Sequence, residues 1–128
     1  MAKKKIKILM IDDEKEFAQM VKLNLEGTKR YEVRTESKGS QGFSAVRAFR
    51  PDLILLDVIM PDMAGGEVAR QIRDDETTKH IPIVFLTATV LKEEAESQGG
   101  IIGGNPFIAK PASADEIIEC IEKNIRKQ

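Results

Sequence analysis

The sequence predicts an α/β fold: an open parallel sheet covered on both faces by helices. Three observations carry this. Residues 6–11, 53–56 and 83–86 are apolar runs too short for helices, the last two opened by Pro51-Asp52 and by Pro82; such runs read as strands buried on both faces. Residues 31–36 alternate apolar and polar side chains as a half-exposed edge strand does, and residues 107–109 after Pro106 are brief enough for the opposite edge. Segments of helical period separate these strands, and alternation of that kind implies right-handed crossovers between five parallel strands.

Taken in order, Lys3, Lys4 and Lys5 form a solvated lead-in to the first strand, which runs from Ile6 to Ile11 with Lys7 inside it. Phe17, Val21 and Leu25 recur at i, i+4 and i+8 and mark a first helix, with Gly27 as its stop signal. After the edge strand, Ala45, Val46 and Phe49 mark a second helix that ends before Arg50-Pro51. Gly65-Gly66 reads as backbone freedom ahead of a third helix carrying Val68, Ala69 and Ile72. A fourth helix is expected over about residues 92–98. The glycines at 99, 100, 103 and 104 weaken it, so it is expected to be mobile. Ser113-Ala114-Asp115-Glu116 is a capping box opening the last helix, whose apolar stripe is Ile117, Ile118, Ile121 and Ile125.

The 128 residues hold 20 Lys+Arg against 21 Asp+Glu, one Cys and no Trp. A chain of this mass buries roughly two-thirds of its surface on folding, enough for a core without disulfides. A net charge of −1 lacks the basic excess that non-specific nucleic-acid binding needs, so direct DNA binding is disfavoured. The lone Cys120 suits a reduced, cytoplasmic setting and a small apolar role in the last helix. No segment has the make-up of a signal peptide or a membrane span. The expectation is one domain over 1–128, with its core at about 6–126.

In open parallel sheets, ligands sit beyond the carboxyl ends of the strands. Strand one ends in Asp12-Asp13, strand three in Asp57, strand four in Thr87 and strand five in Lys110. Two carboxylates about 4 Å apart repel by roughly 4 kcal/mol at an effective dielectric near 20, so three together need a cation or must protonate. Lys110 offsets only part of this, and Mg²⁺ fits the rest because it accepts one or two carboxylates and keeps waters for a phosphate. Acids, a metal, an amine and a hydroxyl are what phosphoryl transfer uses. The nucleophile can be a carboxylate, which forms an acyl phosphate. Asp57, alone at the end of a central strand, suits that role, and the paired Asp12 and Asp13 suit a metal.

The chain resembles the receiver domain of two-component response regulators through Asp12-Asp13, Leu53-Ile54-Leu55-Leu56-Asp57, Met60-Pro61 with Gly65, Leu86-Thr87-Ala88, and Phe107 with Lys110-Pro111. The resemblance spans residues 6–126 and implies a flavodoxin-like doubly wound sheet in order 2-1-3-4-5. It also implies that Asp57 accepts a phosphoryl group from a phosphohistidine of a sensor histidine kinase or a histidine phosphotransfer protein. Asp13 and Asp57 would bind Mg²⁺ directly, Asp12 through water, and the backbone carbonyl of Ile59 would complete the protein ligands. Lys110 would pair with the phosphoryl oxygens, its bond to Pro111 being typically cis in similar domains. Thr87 would contribute its hydroxyl and Phe107 would change rotamer with it, switching a surface read by a downstream protein target or output domain. The partners so implied are proteins, with no direct nucleic acid and no membrane.

Two rivals are weaker on the residues. A phosphatase with a nucleophilic Asp would place a second acid two positions on, where Ile59 stands, and would need a cap insertion. A phosphorylation-independent binding module would be expected to have lost Asp57 or Lys110. Ile59 and Thr89 take the places that overhang the site in related domains, and neither aligns an attacking water, so a long-lived acyl phosphate is expected. His80, in the polar stretch before Pro82, reads as a solvated residue.

Overall fold

A computed structural model describes residues 4–88, 101–102, 105–110 and 112–125. Strands β1 (Ile6–Ile11), β2 (Tyr31–Glu36), β3 (Leu53–Asp57), β4 (Ile83–Thr87), β5 (Ile101–Ile102) and β6 (Asn105–Ala109) form one sheet in the order β2-β1-β3-β4-β6-β5. Helices α1 (Lys15–Gly27), α2 (Gly42–Phe49), α3 (Gly65–Asp74) and α4 (Ala114–Ile125) accompany them. The five longer strands pair in parallel, and with β6 counted as the fifth their order is the expected 2-1-3-4-5. The fourth helix expected near 92–98, the glycines at 99, 100, 103 and 104, Thr89 and Pro111 lie outside the described residues.

Each central strand feeds two cores because alternate side chains leave opposite faces of the sheet. Ile8, Met10, Leu53, Leu55, Val84, Leu86 and Ile108 pack with Ala18, Val21 and Leu25 of α1 and with Ile117 and Ile121 of α4. Leu9, Ile11, Ile54, Leu56, Ile83, Phe85 and Phe107 pack with Ala45 and Val46 of α2 and with Val68, Ala69 and Ile72 of α3. This division explains why the central runs are apolar at every position, while β2 alternates Tyr31 and Val33 inward with Glu32 and Arg34 outward. Full burial of side chains such as Ile117 and Ile121 contributes about 1.5–3 kcal/mol each. The capping box is formed: Glu116 N–H donates to Ser113 Oγ at 3.1 Å and Ser113 N–H to Glu116 Oε1 at 3.2 Å.

Two local expectations need correction, at the sheet edge and at Gly65. The sheet edge beyond β6 is the two-residue strand β5, antiparallel to it with Ile101 opposite Pro106 and Ile102 opposite Asn105. Helix α1 ends at Gly27 as expected; the left-handed residue beyond it is Lys29 (φ 68°), and Arg50 (φ 52°) takes that conformation after α2, its N–H donating to Val46 O at 2.9 Å. At Gly65 a Cβ would lie 2.2 Å from Asp57 O, so glycine there is needed for close approach of α3 to the end of β3, more than for backbone freedom.

Candidate functional site

The strand ends are held in register by backbone bonds that continue the ladder one residue further. Asp12 N–H donates to Glu36 O at 3.0 Å, Val58 N–H to Leu86 O at 2.9 Å and Lys110 N–H to Thr87 O at 2.8 Å. The polar residues that follow the apolar runs are therefore fixed at one edge of the sheet. One carboxylate oxygen each from Asp12, Asp13 and Asp57 falls within a mutual distance of 4.8 Å. Asp57 is 5% exposed, and Asp12 and Thr87 are buried. Thr87 continues the parity of Ile83 and Phe85, the side of the sheet facing α2 and α3. Phe107 stands opposite Phe85 in register and is packed in the same core.

Lys110 lies among acids. Its Nζ is 2.7 Å from Asp12 Oδ2, 2.6 Å from Glu14 Oε1 and 3.8 Å from Asp57 Oδ2, above the ring of Phe17 at 4.8 Å. Burial works against its ammonium, but the contacts with Asp12 and Glu14 and the charge of Asp57 outweigh it and hold the amine above its ordinary value. Asp57 is pushed up to about 7, first by burial, then by the charge of Asp12 and a hydrogen bond with Asp13; Lys110 and the Ile59 N–H, 3.4 Å from Oδ1, pull the other way. A neighbouring anion and a low-dielectric setting together disfavour a second buried carboxylate.

The donor set fits a hard divalent cation. All three side chains offer oxygen, and Asp12 Oδ2, although ion-paired with Lys110, is buried without a well-aligned hydrogen bond. Asp12 Oδ1 accepts the Glu14 N–H at 2.9 Å, which fixes the carboxylate's orientation. Ile59, with its side chain 60% exposed, follows directly on the rim.

Sequence reasoning missed two residues here. Glu14, directly after the acid pair, carries no local signal, yet its side chain reaches Lys110 across 96 positions of sequence. Asp62 ties the loop after β3 to the turn before α2, accepting Gly39 N–H at 3.1 Å and Ser40 N–H at 2.9 Å. The Ser40 bonds, with the Gly39 N–H behind them, lower its carboxyl to about 2. The signal for Asp62 was faint, since no local pattern links residues 62 and 40. His80 is exposed, as expected. It lines a cleft of about 570 Å³ with Arg47, Arg50 and Thr77 at the opposite end of the sheet, away from all the candidate residues.

The response regulator receiver domain model matches residues 8–122. The polar-differentiation response regulator DivK of Brucella anthropi is 34% identical over 118 residues, 91% of this chain and 94% of that protein. The phosphate regulon transcriptional regulatory protein PhoB of Pseudomonas aeruginosa is 35% identical over 94% of this chain, which spans 52% of it. The chain thus spans nearly all of the first relative and about half the length of the second. Among solved structures, a putative response regulator from Chloroflexus aurantiacus superposes with a TM-score of 0.81 at 31% identity, covering 98% of this chain and 100% of that one. The chemotaxis protein CheY4 of Vibrio cholerae gives 0.79 at 28% identity, covering 94% and 98%. No helix among the described residues is long and apolar enough to cross a membrane.

Proposed function

The chain belongs to the response regulator receiver domain family, and from that premise we propose that it is a phosphoacceptor switch modified at Asp57. The observation that carries this is the placing of Asp57: at the end of a buried central strand, beside Asp12 and Asp13, with Lys110 Nζ 3.8 Å away. The donor is a phosphohistidine of a sensor kinase or histidine phosphotransfer protein. An Asp57 oxygen attacks phosphorus in line; the P–O bond forms as the P–N bond breaks, and the imidazole leaves with the electron pair. Lys110 pairs with the phosphoryl oxygens and Thr87 donates its hydroxyl to one of them. Mg²⁺, held by Asp13, Asp57 and the backbone carbonyl of Ile59 directly and by Asp12 through water, would offset charge on those oxygens and keep Asp57 ionised.

Phosphorylation adds up to about two negative charges and draws Thr87 and Lys110 towards them. Reversing a population from 1:99 to 99:1 takes about 5.5 kcal/mol, within reach of a few charge-assisted hydrogen bonds in a partly dry pocket. Phe107, already inward beside Phe85, is the ring whose packing follows Thr87, and the surface around β6 and α4 is what a protein target reads. Residues 1–128 act as one receiver domain in the cytoplasm. The Ile59 side chain offers neither charge nor amide to align water, which supports a long-lived acyl phosphate; decay within a few seconds would contradict this.

Incubation with acetyl phosphate and Mg²⁺, followed on a phosphate-affinity gel, should shift the parent and not Asp57→Asn. A shift that survives the substitution overturns the assignment, and turnover of simple phosphate esters would indicate a hydrolase.

A further inference from the structure

Lys110 is drawn away from the acid it is proposed to serve. Its amine touches Glu14 Oε1 and Asp12 Oδ2 at 2.6 and 2.7 Å, more than 1 Å closer than Asp57 Oδ2 at 3.8 Å. The Asp12 contact is fully buried, whereas the Glu14 side chain is 60% exposed against 8% for Lys110. Glu14 is therefore the partner that water can replace at little cost.

Glu14 also occupies the N-cap position of α1, where a side chain would ordinarily accept a helix N–H, yet it makes no such bond. Its backbone is pinned instead, the N–H donating to Asp12 Oδ1 and the carbonyl accepting Ala18 N–H at 3.0 Å. The carboxylate is left free of helix capping and turned to the lysine.

We propose that Glu14 is a positioning residue that holds Lys110 back from Asp57 and so limits how readily the lysine passes to an incoming phosphoryl group. The inference rests on Asp57 being the phosphoacceptor. A half-exposed pair of this kind changes an equilibrium by about two- to fivefold, and it weakens as salt shortens the screening length to about 3 Å at 1 M.

The test compares the parent with Glu14→Gln and Glu14→Asp, phosphorylated by acetyl phosphate with saturating Mg²⁺ at low and at 1 M salt. Glu14→Gln should react about two- to fivefold faster at low salt, with the difference collapsing at high salt. Glu14→Asp keeps the charge but is one methylene short, so it should behave like Glu14→Gln if reach to Lys110 matters. If it behaves like the parent, only net charge near the acids matters and the proposal falls. A second readout needs neither donor nor metal: the Lys110 ammonium protons, followed by ¹⁵N NMR, should exchange with water faster in Glu14→Gln. Equal rates and equal exchange in all three proteins overturn the role of Glu14 alone. A parent that is not phosphorylated, or phosphorylation retained in Asp57→Asn, overturns the reading of Asp57 as well.

Discussion

On α3, Arg70 pairs with Glu67 and with Asp74, and all three side chains are exposed. At the strand ends, Lys110 pairs with Asp12, and those side chains are 8% and 0% exposed. The residue types are alike; the surroundings are not. On α3 the pairing shifts protonation in the simple sense, lowering Glu67 and raising Arg70 through their mutual hydrogen bonds. At the strand ends burial, and after it the charge of Asp12, outweigh the pull of Lys110, and Asp57 rises to about 7. Water screens the first cluster and is excluded from much of the second, so the α3 pairs count for little in stability while the charges in the pocket act on one another at close to full strength.

The contrast can be broken most forcefully at Lys110. Lys110→Met leaves buried carboxylates without their cation and should lower stability by about 3 kcal/mol at pH 7.5, read by urea unfolding. The loss should shrink at pH 5, where Asp57 holds a proton. Next in size, Gly65→Ala forces a methyl against the Asp57 carbonyl and should cost about 2 kcal/mol, whereas Gly66→Ala, with open space around it, should not destabilise.

A smaller effect follows from the displaced titration of Asp57. Its carboxyl ionises near 3.8 when unfolded and at about 7 when folded. Between those values the folded protein holds a proton that the unfolded chain has released, so stability without metal should fall as pH rises from about 4 to about 7. Asp57→Asn should flatten the profile; an unchanged slope in that variant would assign the titration elsewhere. The smallest expected effect lies on α3: Arg70→Gln should leave the urea midpoint unchanged in 1 M salt, and a salt-resistant loss would mean that the surface cluster is no more screened than the pocket.

The legible parts of the molecule were those encoded locally. Apolar runs at 53–56 and 83–86 are buried on both faces because the two cores use alternate residues of the same strand. The Ser113–Glu116 box is complete within four residues. The candidate residues were legible because polar groups placed directly after such runs must emerge at the strand ends, and parallel pairing brings those ends to one side. The reach of Glu14 to Lys110 was not legible, since a glutamate beside an acid pair reads as one more solvated charge. Nor was Asp62 on Gly39 and Ser40, nor the left-handed Lys29, where the nearby Gly27 gave the stronger local signal.

By itself, the sequence determined which segments form strands and helices, in what order, and which polar residues terminate the central strands, because hydrophobic periodicity and capping act over a few residues. The tertiary structure alone decided which acid Lys110 touches, why residue 65 has no room for a side chain, and how far burial displaces Asp57. Those outcomes depend on distances of a few ångströms between residues far apart in the chain and on how much water remains between them, and neither quantity is written in any local pattern.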